Sequence, residues 1–219
     1  MNIDLHTHLL PGVDDGSSDV EESLKILERM KSGGVERVYL TPHLYSPRTP
    51  TDIFAIKESW RKHSASLNSS GVEVFLGSEI FLRPEVLTGE IISMGETNML
   101  LVELPTDARP HYLVEAIETL QKRGFKIVLA HVERYGFLFK KSLLPFSRSK
   151  LEDEVFRLKD MGVLFQVNWD SLKDWRTVLL LEKRMVETIG SDKHHNSDGR
   201  GVIDFSSELA SQFINDYYL

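Results

Sequence analysis

The chain opens with Met1-Asn2-Ile3-Asp4-Leu5-His6-Thr7-His8, and this stretch predicts a strand that ends in a pair of histidines. Ile3 and Leu5 alternate with polar neighbours, which is the pattern of a short strand. Side chains two residues apart on an extended backbone project from the same face, so we expect the imidazoles of His6 and His8 to lie together. Two neutral nitrogen ligands at the carboxyl end of a strand indicate the start of a metal site.

The rest of the chain repeats this arrangement, because short apolar runs end in polar residues and helical stretches follow them. We predict further strands at 35–40, 72–76, 99–102, 126–130, 163–167 and 185–189. The predicted helices lie at 17–31, 51–68, 84–92, 110–123, 151–161, 172–184 and 201–217. Ser17 or Ser18 is the expected cap of the first helix. Strands that alternate with helices in this way indicate a parallel sheet with right-handed crossovers.

The polar residues that end the strands decide between a closed barrel and an open, doubly wound sheet. Each lies just past the carboxyl end of a different predicted strand: His6, His43, Glu79, Glu103, His131 and Asp192. In a barrel these ends surround one cavity, whereas an open sheet would spread them along a line too long for one site. We therefore predict that residues 1–219 form one α/β domain, a distorted (β/α)7 TIM-like barrel with its metal site at the carboxyl ends of the strands.

Composition and charge narrow the class of protein. The 219 residues carry a net charge of −7 and no cysteine, which excludes thiolate chemistry and argues against a general nucleic-acid-binding surface. No apolar run approaches the ~20 residues of a membrane span, and no basic segment followed by an apolar one marks a secretory signal. We expect a cytoplasmic protein that binds no nucleic acid and does not insert into membranes.

Each strand-end residue taken alone has an ordinary explanation, such as a helix cap, a surface ion pair or a hydrogen-bonded core histidine. Together they favour a metal, because a carboxylate at the end of an apolar strand is costly to bury without a partner. Histidine with carboxylate suits Zn²⁺, Mn²⁺ or Fe²⁺. Further candidates are His8, Asp15 and His194, with His195 as the alternative to His194. The set exceeds what one tetrahedral ion needs, so two or three ions are expected.

Two arginines are expected at the same end of the barrel as the candidate ligands. Arg134 follows His131 closely, and Arg200 precedes the last predicted helix. A guanidinium beside a metal cluster suits a bidentate grip on phosphate. From spacing alone, the two arginines serve equally well to neutralise surplus carboxylates.

A basic, aromatic loop lies between the strand at 126–130 and the helix at 151–161. Its residues are Phe137, Phe139, Lys140, Lys141, Phe146, Arg148 and Lys150. A solvated loop over a satellite hydrophobic cluster is the more common explanation of such a pattern, and a protein-docking rim is the alternative.

Six segments, in chain order, resemble motifs of the PHP (polymerase and histidinol phosphatase) superfamily. They are Asp4-Leu5-His6-Thr7-His8, Val13-Asp14-Asp15-Gly16, Thr41-Pro42-His43, Gly77-Ser78-Glu79-Ile80, Ala130-His131-Val132-Glu133-Arg134-Tyr135 and Ser191-Asp192-Lys193-His194. The first segment together with His-Val-Glu-Arg-Tyr more closely resembles the capsule-associated bacterial metal-dependent protein-tyrosine phosphatases. This likeness covers nearly the whole chain.

The resemblance implies a (β/α)7 barrel with two to three divalent ions, Mn²⁺ foremost and Fe²⁺ or Zn²⁺ as alternatives. The implied metal ligands are His6, His8, Asp15, His43, Glu79, Glu103, His131, Asp192 and His194. Arg134 and Arg200 are implied to bind phosphate. Relatives dephosphorylate the tyrosine-rich tail of a kinase that controls polysaccharide export, so the expected partner is a phosphotyrosine-containing protein of that kind.

The predicted reaction is hydrolysis of a phosphate monoester, in which a hydroxide bound between two ions attacks phosphorus. The arginines would hold the phosphoryl oxygens, and a histidine, with His43 and His194 as candidates, or a metal-bound water would protonate the leaving tyrosinate. Competing hypotheses are a histidinol phosphatase or nuclease of the same superfamily, an amidohydrolase, and a metal-binding regulatory module without turnover. The acidic charge disfavours the nuclease, and the lack of a clear metal-bridging lysine disfavours the amidohydrolase.

Overall fold

A curled parallel β-sheet with helices on its outer face organises the computed structural model, which describes residues 2–140 and 150–207. The strands of this sheet are β1 Ile3–Thr7, β2 Arg37–Leu40, β3 His43–Leu44, β4 Glu73–Leu76, β5 Glu79–Phe81, β6 Met99–Glu103, β7 Lys126–Leu129, β10 Leu164–Asn168 and β11 Thr188–Gly190. A separate antiparallel pair consists of β8 Phe139–Lys140 and β9 Lys150–Leu151.

The parallel strands pair in two runs that continue into each other. One run has the order β1, β2, β4, and the other has the order β3, β5, β6, β7, β10, β11. β2 leads into β3 and β4 into β5 after short breaks, so both runs belong to one curled surface. Beyond β11, the Asp192 backbone N–H donates to the His6 carbonyl oxygen (2.8 Å), and the His8 N–H donates to the Lys193 carbonyl oxygen (2.8 Å). The first strand therefore contacts the segment that follows the last one.

Apolar side chains cover both faces of the sheet. The helices α1 Val20–Ser32, α2 Ile53–Asn68, α3 Leu113–Lys122, α4 Asp153–Asp160 and α5 Trp175–Glu182 contribute to a large outer cluster, for example through Ile26 and Leu120. A smaller inner cluster contains Leu5, Tyr39, Met94, Leu101, Val128 and Ala130. Two buried faces are expected of a parallel sheet with helical crossovers. Within the described ranges, each helix is too short or too polar to cross a lipid bilayer.

The observed strands overlap all of the predicted ones, but the strands predicted at 35–40 and 72–76 are each continued by a further short segment that carries a site residue. β3 begins at His43 and β5 at Glu79. The prediction of a helix at 84–92 is wrong, because only a 3-10 turn, Pro84–Leu87, forms there. The first helix is capped by Asp19, whose side chain accepts from the Glu22 N–H (2.9 Å), and not by Ser17 or Ser18.

Two further predictions concern the ends of the described ranges. Residues 201–207 are not helical, and residues 208–217 of the last predicted helix lie outside the described part of the chain. Of the basic loop, Lys141, Phe146 and Arg148 also lie outside it. Phe137 and Phe139 pack with the large outer cluster.

Candidate metal centre

The carboxyl ends of the strands bring together all nine side chains that were predicted as metal ligands. They form four overlapping groups in which the potential ligand atoms lie within 4.8 Å of one another. The groups are His8 with Asp15, His43 and His194; His6 with Glu79 and His131; His6 with His8 and Asp192; and His43 with Glu79 and Glu103. The shared members make this one continuous cluster.

A bulge in β1 directs its histidines towards the inner face of the sheet. Between Asp4 and Thr7, the register of β1 against β2 shifts by one residue. Regular alternation would place His6 on the face opposite Leu5, which packs in the inner cluster. The extra residue of the bulge interrupts the alternation, so the side chains of Leu5 and His6 both lie inside the curl of the sheet.

The turns after β7 and β11 hold their site residues in unusual backbone conformations. His131 (φ 34°) and Asp192 (φ 53°) lie in the left-handed region, which residues other than glycine adopt rarely. Gly190 approaches β1 so closely that a Cβ atom there would lie 2.5 Å from the Cβ of His6. Strained backbone conformations are kept only where the surrounding structure holds them in place. They are common at functional sites.

Glu79 connects the histidines at the centre of the cluster. Its carboxylate oxygens lie 2.8 Å from His131 Nε2, 2.9 Å from His43 Nδ1 and 3.3 Å from His8 Nε2. Glu103 is more peripheral, with Oε1 4.0 Å from His131 Nε2. One carboxylate in contact with three imidazoles is the arrangement expected of a ligand that bridges ions.

Asp192 and Asp15 close the cluster from the other side. Asp192 Oδ1 lies 3.5 Å from the Nε2 atoms of both His6 and His8. Asp15 Oδ1 lies 3.6 Å from His194 Nε2, and the Asp15 side chain is 54% exposed. Asp192 is therefore part of the buried interior, whereas Asp15 reaches the cluster from the surface loop.

Neighbouring side chains orient the rings of His6 and His8 so that Nε2 of each faces the centre. His8 Nδ1 lies 2.8 Å from Asp14 Oδ2, and His6 Nδ1 lies 3.2 Å from Gln166 Oε1. The same Gln166 oxygen accepts from the His131 backbone N–H (2.8 Å). Partners of this kind fix the tautomer and the ring orientation of metal-binding histidines.

Burial and charge set the protonation states of the cluster. Although burial raises the pKa of the Glu79 carboxyl, His6 and the hydrogen bond from His131 outweigh it and hold the pKa well below the usual range. Burial also raises the pKa of the Asp192 carboxyl, but the electrostatic interactions with His6 and Arg134 outweigh it and lower this pKa. Burial and the charge of His8 lower the pKa of His194 to about 3. Glu79 and Asp192 are thus carboxylates and His194 a neutral imidazole near neutral pH, which are the states that bind cations.

The contacts within the cluster fit divalent cations. His6 and His8 bring their Nε2 atoms to 3.2 Å from each other, and two ring nitrogens at this distance are repulsive unless a proton or a cation lies between them. His43 Nδ1 is buried and makes no hydrogen bond, although Glu79 Oε2 lies 2.9 Å away. Nitrogen and oxygen donors without thiolate suit Mn²⁺, Fe²⁺ or Zn²⁺.

Arg134 and Arg200 line the same cavity as seven of the nine residues of the cluster. This cavity has a volume of about 300 Å³. Arg134 Nη2 donates to Asp192 Oδ2 (2.6 Å), and Arg200 Nη1 donates to the Asp192 carbonyl oxygen (2.5 Å) and contacts the His194 ring. Both guanidinium groups are partly exposed, so each pairs with a buried acidic residue while it keeps donors available to a ligand.

The doubled histidine after Lys193 divides into two different environments. The His194 ring lies in the cluster, with Nδ1 2.9 Å from the Asp192 carbonyl oxygen and Nε2 towards Asp15. The His195 ring instead lies 3.2 Å, Nδ1 to Oγ, from Ser197 at the surface. The geometry thus favours His194 of the two.

The sequence from residue 2 to residue 216 matches the family of capsular polysaccharide synthesis proteins CpsB/CapC. The chain belongs to the CpsB/CapC family. This finding confirms the resemblance to the capsule-associated proteins that the motifs indicated.

Individual relatives match over almost the whole chain. Tyrosine-protein phosphatase CpsB of Streptococcus agalactiae serotype V is 26% identical over 240 residues, which cover 97% of this chain and 94% of the relative. Tyrosine-protein phosphatase YwqE of Bacillus subtilis strain 168 is 25% identical over 229 residues, which cover 94% of this chain and 86% of the relative.

A solved structure shares the fold. It comes from crystal structures of YwqE from Bacillus subtilis and CpsB from Streptococcus pneumoniae, described as unique metal-dependent tyrosine phosphatases. It superposes with a TM-score of 0.77 at 23% identity and covers 99% of this chain and 96% of that chain. The superposition confirms an α/β fold with a curled parallel sheet.

Sequence reasoning missed several residues that support the cluster. Asp14 and Gln166 orient His8 and His6, and Asn168 Nδ2 donates to Asp192 Oδ2 (3.0 Å). Only a weak signal existed for them: Gln166 and Asn168 are polar positions within an otherwise apolar strand, and Asp14 adjoins a predicted ligand.

Proposed function

We propose that this chain is a metal-dependent phosphomonoesterase that removes phosphate from tyrosine side chains of proteins. The observation that carries the proposal is one cavity lined both by seven of the nine clustered histidines and carboxylates and by the guanidinium groups of Arg134 and Arg200. The names of the full-length relatives CpsB and YwqE support tyrosine phosphatase as the activity. The absence of cysteine from the chain excludes a phosphocysteine route.

The cluster would hold two to three divalent ions, with Mn²⁺ as the first candidate. The proposed ligands are His6, His8, Asp15, His43, Glu79, Glu103, His131, Asp192 and His194. When bound, such ions lower the pKa of coordinated water and polarise phosphoryl oxygens. The same proposal includes the fold: residues 1–219 form a single domain, a (β/α)7 barrel with the ions at the carboxyl ends of its strands. The hydrogen bonds between β1 and the segment after β11 support closure of the barrel.

The protein's own residues would position the phosphoryl group and move the proton. Arg134 and Arg200 would donate to the phosphoryl oxygens, and Asp192 keeps both guanidinium groups directed at the cavity. His43 lines this cavity and is the proposed proton donor to the leaving tyrosinate oxygen, whereas the neutral imidazole of His194 would serve as a metal ligand. The remaining imidazoles, held from behind by Asp14 and Gln166, would stay fixed during the reaction.

The proposed partner is the phosphotyrosine tail of a kinase that regulates capsule or exopolysaccharide synthesis, and the proposed location is the cytoplasm. The capsular polysaccharide synthesis family supports this choice of partner. The partly exposed cavity agrees with it, because a peptide side chain must enter from the surface to reach the cluster.

A panel of substrates tests the activity. The purified protein is analysed for bound metal and then assayed with Mn²⁺ on a phosphotyrosine peptide, a phosphoserine peptide of the same sequence, histidinol phosphate and single-stranded DNA. We expect phosphate release predominantly from the phosphotyrosine peptide. Turnover of another substrate with none of the phosphotyrosine peptide would refute the assignment in favour of a histidinol phosphatase or a nuclease. Metal binding without any turnover would indicate a regulatory module.

A further inference from the structure

Phe81 is an aromatic side chain that faces the cavity and not the core. It ends β5, where Ile80 is buried in the outer cluster and Glu79 belongs to the metal cluster. Side chains alternate along a strand, so Phe81 shares the inner face with Glu79, one step closer to the cavity mouth. Its side chain is half-buried and lines the cavity.

The packing of the protein does not account for Phe81. Within the described ranges, it belongs to neither apolar cluster and makes no ring-to-ring contact. Other half-buried phenylalanines differ: Phe75 packs against the inner cluster and Phe125 against the outer one. A large apolar side chain without a core contact, placed in the wall of a polar cavity, is therefore available to a ligand.

Two prolines extend this apolar wall. Pro105 lies two residues after Glu103, beyond the end of β6, and lines the same cavity as Phe81. The parallel register pairs Phe81 with Glu103, the last residues of β5 and β6, so Pro105 follows the strand that neighbours Phe81. Pro47, in the loop after β3, lines the same cavity.

We propose that Phe81, together with Pro47 and Pro105, receives the aromatic ring of the phosphotyrosine and so determines the preference for aryl over alkyl phosphate monoesters. The inference rests on the proposed function. A phosphoryl group held by Arg134 and Arg200 leaves its ester substituent beside this wall, since all five residues line one cavity. An aryl ring gains stacking and burial there, whereas the single methylene of phosphoserine covers little of it.

Binding of two phosphonates separates the contribution of the ring from that of the phosphoryl group. The dissociation constants of phenylphosphonate and methylphosphonate are measured calorimetrically on the Mn²⁺-loaded protein and on Phe81→Ala, Phe81→Leu and Phe81→Tyr. We expect wild type and Phe81→Tyr to prefer phenylphosphonate. Phe81→Ala should lose this preference by about tenfold, with methylphosphonate binding unchanged within about twofold. Phe81→Leu, which retains volume without a π-face, should lie between them.

Phe54→Ala is the matched control, because Phe54 is 67% exposed on α2 and does not line the cavity. It should keep the wild-type ratio. In turnover, Phe81→Ala should raise KM for a phosphotyrosine peptide about tenfold with little change in kcat. Thermal denaturation and metal content identify a variant that has lost its fold or its ions, in which case Phe81→Leu and Phe81→Tyr decide.

Two results would overturn the inference: a wild-type protein that binds both phosphonates equally, or folded Phe81→Ala and Phe81→Leu proteins that keep the wild-type ratio. Failure of the proposed function is a separate result. It would appear as a wild-type protein that hydrolyses no phosphotyrosine peptide, and the phosphonate ratio would still decide the role of Phe81.

Discussion

The buried floor of the site and its exposed rim both contain carboxylates, but the two regions are held differently. The floor consists of His6, His8, Glu79, His131 and Asp192, whose side chains are at most 3% exposed. The rim consists of Asp15, Glu103, Arg134 and Arg200, whose side chains are between 19% and 54% exposed. The floor is fixed by strands and hydrogen bonds, whereas the rim retains donors and acceptors for a ligand. Damage to the floor should therefore remove metal, and damage to the arginines of the rim should weaken substrate handling.

The largest effect is expected from the floor. His6→Ala should lose bound metal and lower kcat/KM by roughly a thousandfold or more, because His6 belongs to two of the ligand groups. Metal content by mass spectrometry and phosphotyrosine hydrolysis provide the measurement. His111→Ala is the control, since His111 is exposed and belongs to none of the ligand groups. A folded His6→Ala protein with normal metal content would contradict the division into floor and rim.

Arg134→Lys tests the rim. Lysine keeps the charge but not the planar, forked donors, so kcat/KM should fall by roughly a hundredfold while metal content stays at the wild-type level. Steady-state kinetics and metal analysis are compared on the same preparations. If metal is lost in parallel with activity, Arg134 supports the floor through Asp192 and the distinction fails at this residue.

Lys193 connects the rim to the interior. Its Nζ is buried and donates to Asp198 Oδ1 (2.5 Å) and to the Arg200 carbonyl oxygen (2.5 Å). Lys193→Met leaves a buried carboxylate without its cation and should lower the free energy of unfolding by about 3 kcal/mol. Lys25→Met removes an exposed pair with Glu21 and should change the free energy of unfolding far less, because solvent screens that pair. Chemical denaturation measures both; equal effects would argue against a buried anchor.

The smallest of the expected effects tests the support behind the floor. Gln166→Leu removes the oxygen that faces His6 Nδ1 and the His131 N–H, and should weaken metal affinity by about ten- to a hundredfold. Titration with Mn²⁺ gives the affinity. Gln121→Leu, on α3, removes a hydrogen bond to the Met161 carbonyl oxygen away from the site and should leave the affinity unchanged. Unchanged affinity in Gln166→Leu would mean that the backbone alone orients His6.

The positions of the strands and of the predicted ligands followed from local pattern. Apolar runs that end in His, Glu or Asp located the carboxyl ends of the strands, and parallel topology brings such ends together. The helix predicted at 84–92 failed because apolar residues there pack inward from a 3-10 turn, a difference that periodicity over so short a stretch does not reveal. Asp14 and Gln166 were missed because a supporting hydrogen bond depends on long-range proximity and not on spacing along the chain.

The sequence by itself determined the alternation of strands and helices, the family, and the chemical nature of the site, since residue types and their order encode these directly. Only the tertiary structure decided which face the opening histidines occupy. Strict alternation would separate His6 from Leu5, and the bulge in β1 places both inside the curl of the sheet. The tertiary structure also distinguished His194 from His195, because the left-handed turn at Asp192 directs only His194 into the cluster. Both outcomes depend on register and on backbone conformations that neighbouring strands impose, and no local pattern contains that information.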